Sequence, residues 1–256
     1  ADPILIGVPT AQSGPVGVAD QADWLNGVTM AVEEINAAGG VNGRMLETRV
    51  VDIDLLTPEG TVAAFQSLVE GGVHALAHSF AIIPQPAMDV AASTGVPYLH
   101  GNTSQASVDL VKSDPQKYRN IFQIDVAETW YGAGFIKFLS NQKAAGWVPK
   151  NNRIDIVQEQ IGYTQVISKA TQAAIAASRG EWEQGQIIDI QFPVQDWAPV
   201  VQALKASDAG VIMIDHWVAA ELASFAQAYV LDPTPGALVY LQYGPSQPEF
   251  LDLAGD

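Results

Sequence analysis

The run Thr10-Ala11-Gln12-Ser13-Gly14-Pro15, which follows an apolar stretch from Ile4 to Thr10, offers a hydroxyl and free backbone N–H groups. A loop of this kind at the carboxyl end of a strand is where open parallel sheets place small ligands. Ser13 reads as a binding donor rather than a nucleophile, because no Gly-x-Ser-x-Gly elbow surrounds it and no base is positioned beside it by sequence. His74 and His78 lie two strand repeats apart and share a face, which permits a metal pair, but no carboxylate with ligand spacing accompanies them. Satisfied strand-end histidines are the better reading. Neither Gly-x-Gly-x-x-Gly nor Gly-x-x-x-x-Gly-Lys-Ser/Thr occurs, so nothing points to a nucleotide. Cysteine is absent, which removes disulfides, thiolate metal sites and thiol nucleophiles together. The expectation is therefore a binding protein with no catalytic residue, no metal and no cofactor.

The elements that must hold such loops show in the alternation of short apolar runs with stretches of period near 3.6, the signature of βα units wound into parallel sheets. Strands are expected at Ile4–Thr10, Leu46–Asp54, His74–Ser79, Pro97–His100, Ile121–Asp125, Ile154–Glu159, Gln186–Phe192, Gly210–His216 and Ala237–Tyr243. Helices are expected near 21–38, 57–70, 84–94, 127–144, 163–178, 196–207 and 218–230. Thr57-Pro58 and Asp196-Trp197-Ala198-Pro199 supply helix starts, and Gly39-Gly40, Gly71-Gly72 and Gly95 supply stops. The fold class is α/β, in two lobes with parallel sheets. The polar, proline-containing segment from Lys112 to Asn120 marks the boundary, which gives a first lobe over 1–121 and a second over 122–256. A cleft between lobes follows from that division.

Composition narrows the partners. Twelve basic and 28 acidic side chains give a formal charge of −16, a field that repels phosphate backbones and anionic lipid surfaces. Nucleic acid is not an expected partner. No apolar run approaches the roughly 20 residues of a membrane span, so direct membrane insertion is not expected. The start Ala1-Asp2-Pro3 fits an exported chain whose signal has been removed, although a cytosolic chain could begin in the same way.

The order of several segments is specific when taken together. These are the opening strand with Ser13-Gly14-Pro15, the run Glu33-Glu34-Ile35-Asn36-Ala37-Ala38-Gly39-Gly40-Val41-Asn42-Gly43-Arg44, and His78 through Gln85-Pro86-Ala87. Gly95-Val96-Pro97-Tyr98 leading to Asn102-Thr103-Ser104, and Leu251-Asp252-Leu253-Ala254-Gly255-Asp256, complete the series. Over essentially its whole length the chain resembles the type I periplasmic substrate-binding proteins of ABC importers, in the branched-chain amino acid binding subgroup. The resemblance implies capture of a small solute between two hinged flavodoxin-like or Rossmann-like lobes and its delivery to a membrane permease, in the periplasm or at the cell surface. The same two-lobed module also serves ligand-sensing regulators and receptor ectodomains, which is the alternative. Family members continue past the matching Ala-Gly-Asp and return to the first lobe, so a longer protein is expected.

The resemblance also implies the site. In the first lobe, Ser79, Phe80 and Ala81 follow the third strand and Asn102, Thr103 and Ser104 follow the fourth; Ala81 stands where a family serine donates its hydroxyl. In the second lobe the matching positions are Tyr163, Trp217 beside His216, and Tyr243. The loop Gln242-Tyr243-Gly244-Pro245 lacks the carboxylate that amino-acid binders use for the ammonium, and Asp215 is the nearest substitute. An ammonium buried without a counter-charge is strongly disfavoured, so a flat or apolar solute, such as an aromatic acid or an amide, is expected.

Overall fold

The computed structural model describes residues 2–255. They form two compact units, residues 2–127 and 128–255. The expected boundary at residue 121 falls inside a strand. Ile121–Gln123 pairs in parallel with Tyr98–His100, so it completes the first sheet, and the division comes after Ala127.

In the first unit the order is β1 (Ile4–Thr10), α1 (Val18–Ala37), β2 (Leu46–Asp52), α2 (Pro58–Glu70), β3 (Ala75–His78), α3 (Pro84–Thr94), β4 (Tyr98–His100), α4 (Gln105–Ser113) and β5 (Ile121–Gln123). The strands form one parallel sheet in the order β2-β1-β3-β4-β5. Two local signals act as the sequence suggests: the Thr57 hydroxyl accepts from the Gly60 N–H at the start of α2, and Gly95 ends α3 in the left-handed region with φ 73°. Helix α4 is absent from the sequence reading.

In the second unit a 3-10 turn at Glu128–Trp130 leads into α5 (Tyr131–Ala144), β6 (Arg153–Glu159), α6 (Gly162–Ala177), β7 (Glu183–Ile190), α7 (Ala198–Ser207), β8 (Val211–Asp215), α8 (Ala219–Leu231), β9 (Leu238–Leu241) and α9 (Pro248–Ala254). These strands are parallel in the order β7-β6-β8-β9. Strand β7 begins at Glu183 rather than Gln186, and α9 is a further helix that the sequence reading does not contain.

Packing differs between the units. Alternate residues of the first sheet, among them Leu76, Tyr98 and Ile121 in register, bury against Phe65 and Leu68 of α2 and Met88 of α3. The intervening residues Leu99 and Phe122, also in register, are 39% and 52% exposed. The second sheet is covered on both faces. Val157, Ile212 and Ile214 pack with Val201 and Leu204 of α7 and Phe225 of α8. Ile156 and Met213 point to the other side, against Phe135 and Leu139 of α5 and Ile167 of α6.

Candidate functional site

In a sheet ordered β2-β1-β3-β4-β5 the direction of winding reverses between β1 and β3, and the loops that leave those two strands diverge to opposite faces. Their carboxyl ends are the natural place for a ligand. The second sheet has the same reversal between β6 and β8. The expected site residues fall after β1, β3 and β4 in one unit and after β6, β8 and β9 in the other.

In the first unit a single side chain from α1 organises two of the loops. Gln21, buried at the start of the helix, accepts the Ala11 N–H on Oε1 at 2.7 Å, which fixes its amide orientation. Its Nε2 then donates to the Phe80 carbonyl at 2.9 Å and faces His78 Nε2 at 3.2 Å. Because the partner at Nε2 is a donor, the His78 proton sits on Nδ1, beside the Tyr98 hydroxyl at 3.3 Å. Burial, with a contribution from His100, pushes His78 down to about 3, and burial pushes His100 down to about 4. Both rings are neutral near pH 7.

The loops after β3 and β4 are tied together by Asn102. Its Oδ1 accepts the Ala81 N–H at 2.7 Å, its Nδ2 donates to the Ser107 hydroxyl at 3.3 Å, and its own N–H reaches His100 Nδ1 at 3.4 Å. Ser104 caps α4 by accepting the Ser107 N–H, and its N–H donates to Gln123 Oε1 at 3.3 Å. Thr103 between them takes φ 47°, and its hydroxyl donates to the Asn102 carbonyl. The structure thus brings Ser79, Phe80, Ala81, Asn102, Thr103 and Ser104 into one loop pair. The Ser79 hydroxyl is buried there without a hydrogen-bond partner. Gly101 fits closely at this corner, where a Cβ would lie 3.2 Å from the Ser79 carbonyl and 3.3 Å from the Trp24 ring. Ser13 is engaged differently. Its hydroxyl donates to Asp52 at the end of β2, and this bond, with the Gln12 N–H, keeps the Asp52 carboxyl below its usual range.

In the second unit His216 is the hub. It leaves the end of β8 fully buried, with Nδ1 3.0 Å from Glu159 Oε2 at the end of β6 and Nε2 3.0 Å from Glu221 Oε2 in the first turn of α8. The same Glu221 oxygen accepts the Val194 N–H from the loop after β7 at 2.9 Å. Two acceptors on two ring nitrogens require two N–H groups, so the ring is an imidazolium. Burial by itself would lower its pKa, but the hydrogen bonds to Glu159 and Glu221 outweigh that and hold it above 6.5. With both nitrogens taken, His216 has no edge left to offer a ligand.

Trp217 is buried next to it, and Gly244 lets the loop after β9 come close: a Cβ there would lie 2.5 Å from Leu222 Cδ1 and 3.1 Å from the Trp217 carbonyl. Tyr243 forms a tight γ-turn at φ 52°, ψ −61°, closed by the Gly244 N–H on the Gln242 carbonyl at 2.6 Å, and its exposed hydroxyl accepts from Gln247. Tyr163, in the first turn of α6, lies half-buried on the cluster around Ile156 and Ile167. Asp215 does not supply an anion. Burial first, then the charge of Glu159, raise its pKa well above the ordinary carboxylate value against the Ser168 N–H, which disfavours the ionised form.

His74 and His78 are held apart at opposite ends of β3. The nitrogens of His74 face the Leu5 N–H and Arg44, and no group of three or more His, Asp or Glu among the described residues is placed to hold a metal. Gln21, Glu159 and Glu221 are the loop-bracing residues the sequence did not reveal, since polar side chains at strand ends and in first helical turns are usually solvated.

The periplasmic binding protein family matches residues 3–247. A leucine-, isoleucine-, valine-, threonine- and alanine-binding protein of Pseudomonas aeruginosa is 39% identical over 98 residues, which are 38% of this chain and 26% of that protein. Among solved structures, one assigned to a branched-chain amino acid ABC transporter from Silicibacter pomeroyi superposes with TM-score 0.87 at 34% identity, over 100% of this chain and 64% of the other. A solute-binding protein from R. palustris in complex with benzoate gives TM-score 0.72 at 14% identity, over 93% of this chain and 62% of the other, a likeness of fold. The chain therefore spans less than two thirds of the length of these relatives. No helix among the described residues is long and apolar enough to cross a membrane. The match across residues 3–247 makes the conclusion direct: this chain belongs to the periplasmic binding protein family.

Proposed function

We propose that the protein is the solute receptor of an ABC-type importer, held in the periplasm or at the cell surface, which captures a small organic solute unchanged and delivers it to a membrane permease. One observation carries this reading: at the carboxyl ends of the strands of each sheet, hydroxyls, amides and aromatic rings gather on loops braced from behind by Gln21 and Asn102 in one unit and His216 in the other. Ser79 and Ser104 are the hydroxyls of the first unit, and Tyr163, Trp217 and Tyr243 are the rings of the second.

The choice of solute turns on charge. The loop after β9 holds Gln242 and Tyr243 but no carboxylate, burial and the charge of Glu159 disfavour ionisation of Asp215, and Glu159 and Glu221 are occupied with His216. An ammonium would be left unpaired, at a cost of several kcal/mol, so the reading favours an aromatic acid or an amide over a zwitterionic amino acid. The benzoate held by the R. palustris protein of the same fold agrees with that preference. A thermal-shift panel of leucine, valine and glutamate against benzoate, short amides and urea tests it, since a bound ligand raises the unfolding temperature by mass action. A shift with benzoate or an amide is the expected result. A strong shift with leucine alone overturns the solute class, and no shift with any compound counts against the receptor reading.

A further inference from the structure

Both ring nitrogens of His216 are engaged, yet the ring sits directly beside Trp217 and at the meeting point of three loops. Glu159 ends β6 and its carbonyl accepts the Thr164 hydroxyl at 2.9 Å, next to Tyr163. Glu221 belongs to α8 and holds the loop after β7 through the Val194 N–H. The rings of Phe192 and Trp197, from either side of that loop, lie 6.5 and 6.2 Å from the imidazole. Every segment that carries a candidate ring of the second unit, apart from the loop after β9, is joined to this one side chain, and that last loop abuts the Trp217 carbonyl through Gly244.

We infer that His216 is a positioning residue whose charged ring clamps the loops after β6, β7 and β8 into the arrangement that receives solute, so that solute capture is strong while the ring carries its proton and weakens when the proton leaves. This deepens the receptor reading and rests on it. The titratable groups facing the ring are Glu159 from β6 and Glu221 from α8, with Asp215 of β8 behind them; the loop after β7 contributes an N–H and two aromatic rings. Loss of the proton takes away one of the two N–H donors. One carboxylate is then left in the interior facing a lone pair, and its loop is released.

The test is two-dimensional NMR of the full chain without solute, from about pH 5 to about pH 9, where a histidine with a raised value gives up its proton. The expected result is one common midpoint, above 6.5, for the His216 imidazole and for the amides of Tyr163, Val194 and Trp217. His216→Gln abolishes that shared titration and leaves the amides of Phe80 and Asn102 where they are. Glu221→Gln, which keeps the ring, moves the midpoint down and serves if the first variant does not fold. Loop amides that stay still while the ring titrates, or that titrate unchanged in His216→Gln, overturn the inference. In a second arm, benzoate and leucine are the probes, and whichever binds should lose about tenfold or more in affinity above the midpoint, the scale of one charge-assisted contact. An affinity flat across the midpoint overturns the inference. If neither probe binds at any pH, the receptor reading is what fails, and the loop titration still decides the role of His216.

Discussion

His78 and His216 occupy corresponding places, at the carboxyl end of the strand that lies beyond the winding reversal in each sheet, and both are fully buried. They carry opposite charge states. His78 is surrounded by an amide, a phenol and a second histidine, so desolvation decides and the ring is neutral. His216 is surrounded by two carboxylates, so hydrogen bonding decides and the ring is a cation. The contrast teaches that burial alone does not set the charge of a histidine; the partners at its two nitrogens do.

The largest expected effect separates the two by deletion. His216→Leu removes one partner of a buried ion pair and should cost about 3–5 kcal/mol, whereas His78→Leu strands only a neutral donor and a neutral acceptor and should cost about 1–3 kcal/mol. Chemical denaturation of the two variants checks this, and equal losses would break the comparison.

Acid and alkali should then act on different units. The folded values of His78 and His100, about 3 and about 4, lie below the ordinary 6.5. Their contribution is complete above pH 6.5 and is lost as pH falls toward those values, at about 1.4 kcal/mol per pH unit for each ring. For His216 the folded value is raised, so its contribution is complete below 6.5 and is lost as pH rises through that higher value. Hydrogen exchange followed separately in residues 2–127 and 128–255 at acid and alkaline pH should show the first segment opening in acid and the second in alkali.

The smallest effect sharpens the comparison at the loops. Gly244→Ala would drive a methyl to 2.5 Å from Leu222 Cδ1 and 3.1 Å from a backbone oxygen, a misfit worth about 1–3 kcal/mol. Gly101→Ala meets its neighbours only at 3.2 and 3.3 Å and should fall at or below the bottom of that range. Melting temperatures of the two variants rank them.

Much of the fold was legible because apolar runs and helical stripes alternate so regularly; β1 spans Ile4–Thr10, the stretch expected from the sequence. The elements that escaped lack such a signal. Helix α9 buries none of its residues, α4 buries only Ser107, and β7 opens with Glu183-Gln184-Gly185 at the edge of its sheet, where polar residues are tolerated. At the site, the loop positions could be read from strand ends, and the resemblance named Asn102, Ser104, Tyr163 and Trp217. The braces could not be read. Gln21 and Glu221 sit in first helical turns, and only three-dimensional placement shows that each reaches across to a different loop.

The carboxamide of Gln21 joins the segment after β1 to the segment after β3, and Asn102 joins that one to the segment after β4. Three stretches of chain that would otherwise wander independently are therefore immobilised before any guest arrives, and the ordering entropy that usually blunts affinity is already spent during folding. A guest docking on this wall meets something closer to a mould than to a net.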